Sequence, residues 1–254
     1  MELSYSVVKN IYEFMGFGQF FRTNPSLINI LALRAYYDIN NTTNIYNDVI
    51  CAAWLDASNS QQCELFLAST DPGLISYNQA VNKDGVATLM DGYLYWYYLS
   101  TRVATYFNRI TGKFVKMQYP CMRNSSAEQQ VWRDSNFDGG IDTTEYAMPT
   151  TGSGILIHYG GEKTNYVGAW SQGCQVIPSI DTYEYFIQLM DMNRNASNPL
   201  DIGSKEIPYL LGDVRKLPDE VAMQVEDVPV ISEMLEPDPM VDNGWLNNLL
   251  GRVS

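Results

Sequence analysis

The strongest constraint on this chain is the regular alternation of short strand-like runs and turn signals between Ser26 and Met192. Apolar or β-branched runs recur at Ile28–Leu33, Val49–Leu55, Leu94–Leu99, Phe114–Met117 and Ile155–Ile157. Between them stand Asp71-Pro72-Gly73, Lys83-Asp84-Gly85, Asp91-Gly92, Thr111-Gly112, Gly139-Gly140 and Gly160-Gly161. Runs this short, punctuated by Gly, Asp and Pro, specify sheets. The run Tyr93–Leu99 is especially dense in strand formers. A mainly β fold, a sandwich or barrel with a few short helices, is the expectation.

Two helices frame this region. Val7, Val8, Ile11, Tyr12 and Met15 form one apolar stripe that Gly16 and Gly18 end. Tyr185, Phe186, Leu189 and Met190 share a face of a second helix over Asp181–Met192, with Asp181 as its expected N-cap. After Asn195 the texture changes. Residues 196–254 hold 11 acidic against 4 basic residues, with recurrent prolines. This predicts three parts: an N-terminal helix and turn over 1–25, a domain over 26–195, and an extended acidic arm over 196–254. Trp245, Leu246, Leu249 and Leu250 fall on one helical face, so the arm ends either in a docking helix for a protein partner or in a terminal helix that packs on its own domain.

Charge narrows the function. With 16 Lys and Arg against 29 Asp and Glu, the net charge is −13. Binding to nucleic-acid backbones or anionic membranes rests on clustered cations, so neither is expected. Met1-Glu2-Leu3-Ser4 has no basic start and no apolar stretch after it, which predicts no secretion signal. No segment is long and apolar enough to span a bilayer. The expectation is synthesis in the cytoplasm. Cys51, Cys63, Cys121 and Cys174 are widely spaced and read as thiols.

The informative stretch is Gly154-Ile155-Leu156-Ile157-His158-Tyr159-Gly160-Gly161, followed by Trp170-Ser171-Gln172-Gly173-Cys174-Gln175-Val176-Ile177. The only histidine lies on an apolar strand, and sixteen residues later a cysteine stands in a Ser-x-Gly-Cys turn. A free thiol is mostly protonated at pH 7, so a nucleophilic cysteine needs a base such as imidazole. A glycine before it permits a sharp turn and a close substrate approach. The amides of Gly173 and Cys174 are candidate oxyanion donors. Taken singly, His158 reads as a core histidine and Cys174 as a small buried hydrophobe; the pairing and the flanking glycines favour a site.

This stretch resembles the signature of the L,D-transpeptidase catalytic domain of the YkuD type, a His-bearing strand followed by Ser/Thr-His-Gly-Cys. It is most similar to a divergent phage and bacterial branch with Trp-Ser-x-Gly-Cys-Gln-Val. Asn29–Arg34, Ala68–Gly73 and Val131–Asp134 extend the resemblance over about Ser26 to Met192. It implies a YkuD-like fold, Cys174 as nucleophile, His158 as base, and Ser171 and Gly173 as the turn that presents the thiol. Gln172 stands where the family has histidine; it can donate a hydrogen bond but cannot titrate. Gln175 and Ile177 also depart from the common pattern. The implied activity is acyl transfer or hydrolysis on peptidoglycan stem peptides through a cysteine thioester, reached through a phage particle or lysis system. The alternative is a virion component that keeps the fold and binds a partner chain through its acidic arm.

A second motif spans Asp134 to Glu145. It fits the EF-hand loop pattern, with oxygens from Asp134, Asn136, Asp138, the Gly140 carbonyl, Asp142 and Glu145. A structural Ca²⁺ is the expectation. The flanks read as strand or turn, not as paired helices, and the bland reading is a solvated Asp/Asn/Gly hairpin.

Overall fold

A computed structural model describes residues 3–37, 44–73, 83–108, 113–138, 140–160, 166–168, 170–195 and 205–218. The fold is mainly β, as the turn-punctuated runs predict. The strands are β1 (Asn29–Arg34), β2 (Asp48–Leu55), β3 (Gln61–Ala68), β4 (Ala87–Leu89), β5 (Tyr93–Asn108), β6 (Lys113–Asn124), β7 (Gln129–Arg133), β8 (Thr150–Gly152), β9 (Leu156–Tyr159), β10 (Gln175–Ile177) and β11 (Glu206–Asp213). Eight form one sheet in the order β10-β9-β6-β5-β11-β1-β2-β3, and β4, β7 and β8 form a small second sheet. The edges of the large sheet meet where Ser69 and Val176 exchange two backbone hydrogen bonds of 2.9 Å. That bridge curls the sheet into a nearly closed barrel.

Strand alternation divides the apolar side chains between two cores. Ile30, Ala32, Ile50, Ala52, Phe66, Tyr97, Ile157, Ile177 and Tyr209 enter one cluster, together with Tyr183, Phe186, Leu189 and Met190 of a helix over Ile180–Asn195. Leu31, Leu33, Val49, Cys51, Ala53 and Leu210 face the other way and pack against a helix over Tyr5–Phe14, named α1. Both faces of β1 are therefore covered, and its six residues are all buried. This is why β1 reads as a continuous apolar run and not as an alternating one. No helix among the described residues is long and apolar enough to cross a membrane.

Helix α1 lies where its stripe predicts. The Ser4 side chain accepts the Val7 N–H, and Gly16 takes φ +83 just past the end. Tyr12 drives its hydroxyl inward to donate to the Ile30 carbonyl at 2.6 Å. Residues 3–25 are thus packed on the barrel. The helix over Ile180–Asn195, named α3, starts one residue earlier than expected. Ser179, not Asp181, precedes its first residue, and its Oγ accepts the Thr182 N–H at 3.4 Å.

The acidic, proline-containing sequence of 196–254 predicts an arm outside the domain, yet β11 sits inside the large sheet. It pairs parallel with β1 and antiparallel with β5. From Ile207 to Asp213 every residue of β11 is buried. The physical reason is that Ile207, Tyr209, Leu210 and Leu211 bury apolar area on both faces, which outweighs Pro208 and the acidic composition around them. The terminal helix expected at Trp245–Leu250 lies outside the described residues.

Candidate active site

β9 and β10 run parallel, with Val176 level with His158 and Gln175 level with Ile157. Cys174 stands one step before this pairing, beside Leu156. The Leu156 N–H donates to the Cys174 Sγ at 3.4 Å, and the thiol points at the Gly154 carbonyl oxygen, 3.9 Å away. Cys174 is partly exposed. The sequence motif has therefore been brought to the end of two adjacent strands, with His158 two residues further along β9.

The Ser-x-Gly-Cys turn is held tightly. The Ser171 hydroxyl donates to the Cys174 carbonyl at 2.6 Å and accepts the Gly173 N–H at 3.1 Å. Gly173 adopts φ +136, and a Cβ there would meet the Ala87 carbonyl oxygen at 2.5 Å, so only glycine fits. The Gly173 amide, expected as an oxyanion donor, is instead occupied by Ser171. Gln172 is exposed. Gln175 is buried, with its amide 3.4 Å from the Thr70 carbonyl and its Oε1 accepting the Tyr209 hydroxyl at 3.0 Å.

His158 is 1% exposed. Its Nδ1 lies 2.7 Å from the Tyr159 carbonyl oxygen. A carbonyl can only accept, so the geometry assigns the ring proton to Nδ1 and leaves a lone pair on Nε2. Among the described residues, that Nε2 is buried without a hydrogen-bond partner. Burial first, then the Arg102 charge, push the His158 pKa down to about 3, against the opposing Tyr159 hydrogen bond. Burial pushes the Cys174 thiol up, while the Leu156 amide, Arg102 and Arg123 pull it down. Partial exposure of Cys174 lets water moderate that rise. The resting pair is therefore a neutral thiol and a neutral imidazole, and the two are not hydrogen-bonded to each other.

Sequence reading missed the basic residues of this site. Arg123 of β6 lies directly across from Leu156, whose amide holds the sulfur, and Arg102 of β5 pairs with Tyr119 of β6. Strand alternation puts Arg102, Tyr119, Cys121 and Arg123 on the face that carries His158. Arg102 keeps a buried Nη1 without a hydrogen-bond partner among the described residues. In a chain of net charge −13, this face gathers two guanidiniums beside the thiol. Only the strand register reveals it.

No protein-family model matches the chain, and neither a curated protein nor a solved structure matches it.

The neutral histidine makes stability pH-dependent. Unfolded, His158 titrates near pH 6.5; folded, it takes a proton only near pH 3. Below about pH 6.5 the unfolded chain binds the extra proton, so acid favours unfolding. Its contribution is full above that pH and is lost at about 1.4 kcal/mol per pH unit on the way down. In denaturant titrations from pH 7 to pH 4, His158→Gln is expected to show a shallower loss than wild type. Equal slopes would place the ring in water.

The Asp134–Glu145 loop follows β7 and leads into a single helical turn over Thr143–Tyr146, named α2. The flanks are strand and turn as expected: Val131–Arg133 lie in β7, and of Tyr146–Pro149 only Tyr146 belongs to that helical turn. Its cause is a capping box, in which Asp142 accepts the Glu145 N–H at 2.9 Å and Glu145 accepts the Asp142 N–H at 3.2 Å. The other Glu145 oxygen accepts the Ser135 hydroxyl at 2.9 Å and the Asn136 N–H at 3.2 Å. Asp134 accepts the Asp138 N–H at 3.0 Å. Asp138 accepts the Gly140 N–H at 3.3 Å. The carboxylates thus close the loop on its own amides. Among the described residues no group of three or more His, Cys, Asp or Glu side chains is gathered as a metal site.

Proposed function

We propose that this chain is a cysteine-dependent acyl-transfer enzyme that acts on peptidoglycan stem peptides through a thioester on Cys174. The observation that carries the reading is that the strand register puts a partly exposed thiol, held by the Leu156 amide, on the same sheet face as a buried imidazole whose Nε2 has no hydrogen-bond partner among the described residues. The resemblance of the His158 and Cys174 motifs to the L,D-transpeptidase domain supplies the substrate class.

In this reading the Cys174 proton passes to His158 Nε2 as the sulfur bonds to the peptide carbonyl carbon. Arg102 and Arg123 offset the charge on the sulfur and on the oxyanion. The imidazolium then protonates the departing amine, which leaves the thioester. Attack by an acceptor amine forms a cross-link; attack by water gives hydrolysis. Gln172, exposed beside the thiol, donates a hydrogen bond to substrate. In assays with soluble stem-peptide fragments, wild type is expected to convert them and Cys174→Ala to leave them unchanged. His158→Ala is expected to slow conversion by about 100-fold or more. Equal rates for wild type and Cys174→Ala would refute the assignment.

A second reading, a virion component that binds a partner chain through its acidic C-terminal segment, is supported by the lack of a thiol–imidazole hydrogen bond. The function assay separates the two.

The loop of Asp134, Asn136, Asp138, Gly140, Asp142 and Glu145 remains a proposal for Ca²⁺. Its donors are all oxygens, the chemistry a hard cation takes. Binding would require Glu145 to turn from the loop amides to the ion. Millimolar Ca²⁺ is expected to raise the melting temperature over chelator-treated protein, with Glu145→Gln abolishing the difference. Superimposable melts would withdraw the metal.

A further inference from the structure

We propose that Cys51 and Cys63 form an oxidisable dithiol site, a cross-strand pair that a small-molecule disulfide such as oxidised glutathione converts to a protein disulfide. The pair lies on β2 and β3, whose register sets Cys51 opposite Leu65 and Ala53 opposite Cys63. The two cysteines are thus diagonal neighbours on one face, and both pack in the cluster beneath α1. Their sulfurs are 3.0 Å apart, and both are free thiols. Closing to the bonding distance of about 2.05 Å asks for roughly 1 Å of movement, within reach of small χ1 rotations on two strands.

The two sulfurs are not equivalent. Cys51 is fully buried, whereas Cys63 is half-buried. Two residues before Cys63, Gln61 lines an open surface groove with Tyr5, Lys9, Asn10 and Leu55. An external disulfide therefore reaches Cys63 first. The neighbouring Cys63 sulfur and then burial hold the Cys51 thiol above its ordinary range, which makes it the poorer first attacker; its 3.0 Å contact with Cys63 makes the second step intramolecular.

The chemistry balances as two exchanges. The Cys63 thiolate attacks glutathione disulfide, which forms a mixed disulfide and releases one glutathione thiol. The Cys51 sulfur then attacks the Cys63 sulfur of that mixed disulfide and releases the second glutathione. The two cysteine protons end on the two glutathione thiols; the protein dithiol is oxidised and the glutathione disulfide is reduced. The bond ties β2 to β3, the strand that leads to the Ser69–Val176 bridge beside Cys174. The site stands apart from the proposed acyl-transfer chemistry, because β11 and β1 separate β2 from the β5–β6 hairpin that carries Arg102 and Arg123, and the two sulfurs pack beneath α1.

The test is peptide mapping of the folded, full-length protein after incubation with oxidised glutathione and alkylation of the remaining thiols. Expected are a linked peptide pair carrying Cys51 and Cys63, continued alkylation of Cys121, and a melting temperature higher by about 3–6 °C that dithiothreitol reverses. Cys63→Ser and Cys63→Ala should each abolish both the linked peptide and the shift. Mapping of the wild type decides the matter by itself if those variants fold poorly. Recovery of Cys51 and Cys63 as alkylated thiols, or a disulfide joining either to Cys121 or Cys174, would overturn the proposal.

Discussion

A chain truncated after Asn195 is expected not to fold. It would keep His158, the Ser171–Cys174 turn and every residue quoted for the family resemblance, yet it would lose β11. That strand is hydrogen-bonded on both sides, from Ile30↔Tyr209 to Arg34↔Asp213 against β1 and from Glu206↔Tyr98 to Leu211↔Tyr93 against β5. Removing it splits the large sheet through its middle and exposes the inner faces of Tyr95 and Tyr97. It also strips the Tyr12 hydroxyl of its 3.2 Å contact with the Pro208 carbonyl. Burial of Ile207, Tyr209, Leu210 and Leu211 contributes about 1.5–3 kcal/mol per side chain. Their sum rivals the whole stability of an ordinary domain. Circular dichroism and gel filtration should show an aggregated or unfolded fragment, while a chain ending after Pro218 should melt cooperatively. A monomeric, cooperative fragment ending at Asn195 would show that β11 is dispensable.

The second large effect is expected at Arg34. This side chain is buried at the end of β1 among four carboxylates. Its Nε lies 3.0 Å from Asp71 and its Nη1 3.6 Å from Asp91. Its donors also reach the Thr70 hydroxyl at 3.1 Å and the Leu89 carbonyl at 3.0 Å. Asp48, which accepts the Ala35 and Thr70 amides, and Asp213 contribute to the field that raises the guanidinium pKa. Burial and the Asp71 charge push Asp48 up, and Arg34 opposes this. Arg34→Met keeps much of the volume but leaves the carboxylates facing one another without a cation. Removing one partner of a buried ionic cluster costs about 3–5 kcal/mol. The loss should grow with pH, because the uncompensated carboxylates then ionise together. Chemical denaturation at pH 5 and pH 8 checks both the size and the direction. A stability within about 1 kcal/mol of wild type at both values would mean that the cluster is hydrated.

This cluster also shows what was legible in the sequence. Asn29–Arg34 and Ala68–Gly73 stand out as motifs, but nothing in their spacing reveals that Arg34 and Asp71 form an ion pair. Their role is architectural: Thr70 links Arg34 to Gln175, and the Gly73 N–H is bonded to the Ser171 carbonyl at 3.1 Å, so the network braces the cysteine turn. The stripe from Val7 to Tyr12 and the runs at Ile28, Val49, Leu94 and Ile155 were readable because local periodicity decides them. β11 was not. Pro208 and the surrounding acid suggested an arm, and the partner that makes Tyr209 a core residue, Ile30, lies far away along the chain. In the site, the His158 strand and the Gly173 turn follow from local chemistry. Arg102 and Arg123 needed the register of a long hairpin, and the capture of the Gly173 amide by Ser171 needed coordinates.

The central claim is that Cys174, assisted by His158, forms an acyl bond with stem peptides. Intact-mass spectrometry of the full chain, quenched in acid during incubation with peptidoglycan stem-peptide fragments, tests it most directly. Expected is a hydroxylamine-labile adduct of acyl-fragment mass, mapped to Cys174, absent in Cys174→Ala and strongly reduced in His158→Ala. An unmodified Cys174 throughout the time course, or an adduct that forms equally well without His158, would contradict it.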